Sequence, residues 1–275
     1  MVLNEETKRQ LSQNQIPTQK LNDYPTETVP LPSLGKYYSD GNPLQSGQIE
    51  LRYPTAREED ILTSKNLIQK GNVIDVFINS LIVDKSINTD DLLLGDKNAI
   101  VIASRIMAYG KDYPIEASCP SCGELNKTIV DITGLQSKQL KIDINNVIGN
   151  EFEFELPMSK HKIIFKVLTQ RDDKSIDSQI KASKKALKLQ TGVEITTRLK
   201  ASIISINGST DRLEIKNLVD NMLSTDSLAL RQHINSVSPD IDMKFDFICS
   251  ECSHEERMNL PLGIGFFWPS SEGVK

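Results

Sequence analysis

The chain has 275 residues, 38% of them hydrophobic and 25% charged, a composition typical of a folded protein with one large or two small domains. Its formal net charge is −5, whereas proteins that wrap nucleic acid normally need a basic surface. We therefore expect no nucleic-acid partner. The sequence lacks both a run of ~20 apolar residues and an apolar signal core near its start. We therefore expect that the protein does not insert into a membrane. We also expect that it is synthesised in a reducing cytoplasm.

The first segment, residues 1–30, is polar and rich in glutamine, and it ends among prolines. Its lack of hydrophobic periodicity predicts an extended or disordered N-terminal arm. Two interpretations stay open: a disordered tail, or an arm that becomes ordered only against a neighbouring subunit.

A first structured half is predicted over residues 31–139. Hydrophobic and polar residues alternate over 48–53, which predicts a half-buried strand. Thr55 follows as a candidate helix N-cap, and Glu58 completes a capping box three residues later. The acidic residues here therefore favour helix capping over acid–base catalysis. Apolar residues then recur at helical spacing, and we expect helices to dominate residues 58–110.

Four cysteines form two C-x-x-C pairs, and 126 residues separate the pairs. Each pair lies between two segments in which apolar and polar residues alternate. This pattern predicts a β-hairpin with a metal-binding knuckle at its tip. Four thiolates from two such turns suit tetrahedral Zn²⁺ at Zn–S distances of about 2.3 Å, so we predict one zinc ion per chain. The predicted ligands are Cys119, Cys122, Cys249 and Cys252.

Two other interpretations of the cysteines stay open, namely redox-active C-x-x-C sites and unliganded thiols. A redox motif normally opens a helix after a strand, whereas strand-like segments flank both pairs here. His254 is a candidate substitute ligand, and a solvated histidine beside the hairpin is its alternative. A zinc ion with four cysteine ligands has no open position for a substrate, so the predicted site is structural.

The second half, residues 140–260, repeats this order of elements with different loop lengths. Residues 156–158 share a Leu-Pro-x pattern with residues 31–33. A strand is predicted at 163–167, and helices are expected to dominate 172–236.

Two further matches favour an internal duplication. Thr169–Asp173 agrees in residue type with Thr55–Glu59 at an offset of 114, and Thr225–Leu228 resembles Thr89–Leu92. Chance agreement is the alternative, because Thr-x-Arg followed by two acids is also a common helix start. We predict an α+β fold with two similar halves, each a short strand or hairpin plus helices that end in a C-x-x-C zinc-knuckle hairpin.

The sequence motifs of common enzyme classes are missing. There are three histidines but no H-E-x-x-H motif, no G-x-S-x-G elbow and no phosphate-binding loop, so we predict no enzymatic activity. One basic cluster could contact phosphate or an acidic partner, with a solvated helix face as the alternative. Its residues are Lys181, Lys184, Lys185 and Lys188.

The C-terminal tail, residues 261–275, begins with an unusually apolar run. Aromatic residues dominate many interface hot spots, so Phe266, Phe267 and Trp268 are candidate anchors for a partner protein. The alternative is that this segment folds back onto the second knuckle and caps the chain's own core.

Several sequence segments of the first half, taken together, resemble one known protein family. They are Leu31–Tyr38, Ala56–Ser64, Leu94–Ile100, Arg105–Gly110 and Cys119–Gly123. This set is similar to the hub-region baseplate protein family of T4-like contractile-tailed bacteriophages. The resemblance covers residues 31–131 well and the remainder more weakly, through the order of elements and the second C-x-x-C pair.

The resemblance implies two alternative functions. The first is a non-enzymatic structural component of the tail baseplate, at or near its hub, that binds other baseplate or tail hub proteins in a hetero-oligomeric assembly. Such a protein is synthesised in the host cytoplasm and ends in the virion. The second is an assembly chaperone that binds hub or tape-measure proteins and is absent from the mature particle.

Overall fold

The computed structural model describes residues 24–187, 193–260 and 264–267. Over these ranges the chain forms eight α-helices and several small antiparallel sheets, which confirms the α+β prediction. The strands are β1 (Thr26–Pro30), β2 (Gln48–Arg52), β3 (Asp112–Ser118), β4 (Leu125–Asp131), β5 (Phe152–Glu155), β6 (Lys162–Phe165), β7 (Ile203–Ile206), β8 (Lys244–Ile248) and β9 (Glu255–Asn259). The helices are α1 (Ala56–Thr63), α2 (Lys65–Lys70), α3 (Val73–Leu81), α4 (Leu94–Tyr109), α5 (Gln170–Leu187), α6 (Glu194–Ser202), α7 (Arg212–Asp220) and α8 (Ser224–Val237).

The two predicted central strands are present as β2 and β6, but each has a partner that the sequence patterns did not predict. Strand β1 pairs antiparallel with β2, and β5 pairs antiparallel with β6. The predicted N-terminal arm therefore ends in a strand: its residues 26–30 are extended and paired, while residues 1–23 lie outside the described ranges. The other predicted domain boundaries stay predictions.

Both halves contain the same helix-capping contacts after their central strand. Glu58 accepts hydrogen bonds from the N–H and the hydroxyl of Thr55, at 2.9 and 2.7 Å. Asp172 accepts the corresponding bonds from Thr169, at 3.1 and 3.0 Å. Each acid also forms an ion pair with the basic residue three positions before its threonine. Residues 114 positions apart in the two halves thus form the same contacts as well as sharing residue types.

Both halves also extend their first hairpin by a third segment. Ile82, directly after α3, forms an antiparallel bridge with Leu51 of β2. Ile203, which opens β7 directly after α6, pairs antiparallel with Phe165 of β6. The second half builds a three-stranded sheet where the first has a hairpin and a single bridge.

Each half buries an aspartate at the third residue of its last long helix. Asp96 of α4 accepts from the N–H and hydroxyl of Ser33, at 2.9 and 2.6 Å. Asp226 of α8 accepts from the N–H groups of Met158 and Ser159, at 2.8 and 3.0 Å. Both carboxylates are fully buried, and each accepts a hydrogen bond from the N–H of the third residue of a Leu-Pro-x pattern, where a turn begins.

These aspartates correct one register in the predicted repeat. The sequence match placed Asp226 opposite Asp90, whereas the structure places it opposite Asp96. The corrected offset is 130, the same as for the cysteines. The mismatch arises because helix α7 of the second half takes the place of a loop and a short 3₁₀ turn, Thr89–Asp91, in the first.

The halves share one hydrophobic core and meet along a short backbone contact. Leu93, just before α4, forms an antiparallel bridge with Thr169, and the N–H of Gln170 donates to the carbonyl oxygen of Leu92 at 2.8 Å. Buried side chains from both halves belong to a single cluster. Within the described ranges, no helix is both long and apolar enough to cross a membrane.

Candidate metal centre

Two hairpins, β3–β4 and β8–β9, each carry one cysteine pair at the tip. In the first knuckle the N–H of Gly123 donates to the carbonyl oxygen of Cys119 at 2.8 Å. In the second the N–H of Ser253 donates to that of Cys249 at 3.0 Å. Gly123 and Ser253 have φ of 78° and 55°, the left-handed conformation that closes each turn. The two knuckles are therefore built alike.

The tertiary structure brings all four sulfur atoms together. Cys119 Sγ lies 3.6 Å from Cys252 Sγ, and Cys122 Sγ lies 3.6 Å from Cys249 Sγ. All four atoms lie within 4.8 Å of one another. Zn–S bonds of about 2.3 Å give a tetrahedron whose edges are about 3.8 Å, so the cluster has the size and donor set of a four-thiolate metal site.

The four cysteines are free thiols that differ in exposure. Cys119 and Cys249 are buried, whereas Cys122 and Cys252 are exposed. The sulfur–sulfur distances of 3.6 Å far exceed the ~2.05 Å of a disulfide. The second cysteine of each pair therefore forms the solvent side of the cluster, and the first forms its inner side.

His254 does not join this cluster among the residues that the structure describes. Its Nε2 lies 3.3 Å from a carboxylate oxygen of Glu256 on the neighbouring strand. The backbone carbonyl of His254 instead accepts a hydrogen bond from the N–H of Cys249 at 2.9 Å, so this residue shapes the knuckle through its main chain.

Asn126 is a polar contributor to the cluster that sequence reasoning missed. Its Nδ2 lies 3.5 Å from Cys249 Sγ, and its Oδ1 accepts hydrogen bonds from the N–H and hydroxyl of Ser250 at 2.8 and 2.9 Å. The side chain is buried and joins the first hairpin to the second knuckle. The available signal was an amide at an inward position of β4, four residues after Cys122.

Hydrogen bonds set the ionisation of two thiols in opposite directions. The backbone N–H of Cys252 has the largest effect on Cys249, and with the N–H of Glu251 it lowers the pKa of this thiol to about 6 against the effect of burial. At Cys122, the N–H of Glu124 lowers the pKa, but contacts with the other sulfurs and burial raise it to about 12. Negative charge on one sulfur opposes ionisation of the sulfurs beside it. All four thiols can therefore become thiolates only when a bound cation compensates their charge.

Two of the three predicted partner anchors, Phe266 and Phe267, belong to the described residues. Phe266 and Phe267 are each 1% exposed, and Phe266 packs edge-on against Tyr113 of β3 with ring centroids 4.9 Å apart. Their burial agrees with the alternative that this segment caps the chain's own core, but the ring contacts described for them lie in the first half, at Phe77 and Tyr113, rather than at the expected second knuckle. Trp268 lies outside the described residues, so its predicted partner contact stays a prediction.

The basic cluster on α5 is described only at its first residue. Lys181 is exposed, which agrees with a solvated helix face. The side chains of Lys184, Lys185 and Lys188 lie outside the part of the chain that the structure describes.

Comparison with known protein families gave one match that covers most of the chain. Residues 25–268 match the family described as T4 bacteriophage base plate protein. No curated protein and no solved structure matched the chain. The matched range runs from the start of the first hairpin, through both knuckles, to the buried C-terminal aromatic residues. The chain therefore belongs to the T4 bacteriophage base plate protein family.

Proposed function

We propose that this protein is a non-enzymatic structural component of the contractile tail baseplate, located in the hub region, and that one Zn²⁺ ion stabilises it as an adaptor between baseplate subunits. Family membership supports the structural role. The observation that carries the proposal is the four-sulfur cluster, because it joins hairpins from opposite halves and leaves no ligand position for a substrate.

The proposed partners are other baseplate or tail hub proteins in a hetero-oligomeric assembly. The protein is synthesised in the host cytoplasm and carried in the virion tail. When bound, the ion supplies charge compensation for the thiolates and a cross-link between residues 119–122 and 249–252. The Nδ2 of Asn126 and the knuckle N–H groups, which already face sulfur, support the remaining negative charge.

Metal analysis of the purified full-length chain tests the zinc site. We expect one zinc ion per chain, and we expect Cys122→Ser to lose most of it and to lower the free energy of unfolding by several kcal/mol, because ligand assembly is coupled to folding. Replacement of the ion by Co²⁺ reports the ligand set independently, through thiolate-to-metal charge-transfer absorption.

Ser121→Ala is the matched control, because it changes an exposed side chain of the same knuckle and leaves all four sulfurs in place. It should keep the full metal content and stability. A zinc-free wild-type protein that unfolds like Cys122→Ser would contradict the metal site while leaving the baseplate role intact.

Mass spectrometry of purified tails separates the structural role from the chaperone alternative. A structural component is present in tails at a fixed ratio to known baseplate proteins. A protein that is abundant in infected-cell extract but absent from purified tails would instead be the assembly chaperone.

A further inference from the structure

One half of the chain docks onto the other through two short segments. The receiving edge is Leu92–Leu94, at the N-terminus of α4, and the docking segment is Leu168–Arg171, at the N-terminus of α5. The N–H of Gln170 donates to the carbonyl oxygen of Leu92 at 2.8 Å, and a backbone bridge joins Leu93 to Thr169. Leu93 is only 1% exposed, in a core cluster that also contains Tyr38 of its own half, whose hydroxyl oxygen accepts a hydrogen bond from the N–H of Leu93 at 3.0 Å.

Because the halves are repeats, the chain contains a second receiving edge. The 130-residue offset of the buried aspartates makes Met222–Ser224, at the N-terminus of α8, the counterpart of Leu92–Leu94. Within the described part of the chain this edge is open at its middle residue: Leu223 is 53% exposed, where Leu93 is 1% exposed, while Met222 is partly buried against the core. Met158 and Leu228, both close to Asp226, are also exposed, so the edge is apolar.

The chain also contains a second docking segment. The 114-residue offset of the capping threonines makes Pro54–Arg57 the counterpart of Leu168–Arg171. Ala56 and Arg57 are exposed, whereas Gln170, the counterpart of Ala56, is buried. The occupied contact uses the carbonyl oxygen of Leu168 and the N–H of Gln170. Their counterparts Pro54 and Ala56 offer the same two backbone groups. Thr55 has the required extended backbone, with φ −122° and ψ 175°.

The charges near both open segments are compatible with the same contact. In the occupied contact Lys174 pairs with Asp90 and Asp75 across the halves. In the open pair the counterpart of Lys174 is Asp60, and Asp220, at the end of α7, lies two residues before the open edge. Two lysines of its own half already pair with Asp220, so Asp60 would meet a cluster of net positive charge.

We propose that copies of this chain associate head to tail, with Pro54–Arg57 of one copy docked on Met222–Ser224 of the next. The two surfaces are different and lie on opposite halves, so the contact is heterologous and leads to a ring or an open chain of copies. The partner at this exposed edge is therefore a second copy of the same protein.

Light scattering of the full-length protein over a wide concentration range tests the proposal. We expect the wild-type mass to rise with concentration above that of one chain. Leu223→Glu should weaken association roughly tenfold or more, because it places a charge in the apolar contact. Ile129→Glu is the matched control, since Ile129 is 68% exposed on a different hairpin, and it should associate like the wild type.

Ala56→Pro tests the docking segment with little risk to the fold. Ala56 is the first residue of α1, where proline is tolerated, and the extended Thr55 is suited to precede it. The substitution removes the N–H that would donate to Met222 and should weaken association about fivefold. Far-UV circular dichroism and thermal unfolding check that the variant folds like the wild type.

Mixing the two variants distinguishes head-to-tail from symmetric association. Leu223→Glu keeps an intact docking segment and Ala56→Pro keeps an intact receiving edge, so an equimolar mixture should form mainly dimers at concentrations where neither variant associates alone. A wild-type protein that stays monomeric at every concentration would overturn the proposal. Association that Leu223→Glu leaves unchanged, or protection of Leu223 only in complexes with other baseplate proteins, would also overturn it.

Discussion

Glu58 shows how one buried carboxylate is kept charged in this fold. Its side chain is 1% exposed, and it accepts hydrogen bonds from Arg52 and from both donors of Thr55. Burial alone would raise its pKa, but the bonds from Arg52 and Thr55 outweigh burial and lower the pKa to about 2. The residue therefore links the end of β2 to the start of α1 by charge as well as by capping.

Glu58→Gln should destabilise the protein in a pH-dependent way. The folded-state pKa of about 2 lies below the ordinary value of 4.5, so the stabilisation is complete above pH 4.5 and is lost as the pH falls towards 2. At pH 7 we expect a loss of about 1–3 kcal/mol, because Arg52 loses its charged partner. Denaturant unfolding of the variant and the wild type from pH 7 to pH 2.5 measures the difference.

The difference in unfolding free energy should narrow below pH 4.5 and should stay constant above it. Glu59→Gln, at the exposed neighbouring position, is the control and should change stability little. If the wild type and Glu58→Gln differ equally in unfolding free energy at pH 7 and pH 2.5, Glu58 acts through packing rather than through its charge.

The residues that sequence reasoning identified correctly are those with local partners. The capping box joins Thr55 to Glu58, three positions later, so the sequence pattern can be recognised without knowledge of the fold. The cysteine pairs are also local signals, and the four sulfurs do cluster as expected. Asn126 and Arg52 were missed because their partners lie across hairpins or helices, which no local pattern specifies.

At the scale of elements, helix α4 is positioned by a close approach to the other half. A Cβ atom built on Gly95 would lie 1.9 Å from the carbonyl oxygen of Pro239 and 2.7 Å from the Cα of Asp240. Both neighbours are backbone atoms, so neither can rotate away. The absence of a side chain at Gly95 therefore allows the start of α4 to pack directly against the segment after α8.

Gly95→Ala should destabilise the protein although alanine is the better helix former. The propensity gain is about 1 kcal/mol, whereas overpacking against backbone costs typically 1–3 kcal/mol and more when the neighbours cannot move. We expect a net loss of a few kcal/mol in denaturant unfolding. Gly134→Ala is the control, because a Cβ there meets nothing within 4 Å, and a variant at Gly95 as stable as this control would contradict the packing.

The elements that sequence patterns did not predict are short strands that need a tertiary partner. Strands β5 and β7 have four residues each, too few for a clear alternation. Strand β7 follows α6 without a linker, inside a region that the helical pattern covered, and it forms because β6 offers a free edge. Helix positions in both halves were predictable because amphipathic spacing extends over two or more turns.

At the scale of the whole molecule, contacts distant in sequence hold the repeats together. The cysteine cluster joins the two knuckles, and the C-terminal aromatic residues reach back to the first half. Arg105 Nε donates to the carbonyl oxygen of Phe266 at 2.8 Å, and Arg105 is itself 1% exposed. Residues 264–267 thus complete part of the core of the first half, far from them in sequence.

Phe267→Ala should lower the stability of the isolated protein by about 3–5 kcal/mol, the usual loss for a buried phenylalanine. Phe267 is 1% exposed, and its ring packs edge-on against Phe77 of α3 at a centroid distance of 4.9 Å. Removing it opens a cavity between α3 and the C-terminal segment, which a rigid backbone fills only in part. Trp268→Ala, made separately, tests the adjacent predicted anchor, and incorporation of each variant into tails is followed beside thermal unfolding. Unchanged stability of Phe267→Ala together with lost incorporation would assign this segment to an interface instead of the core.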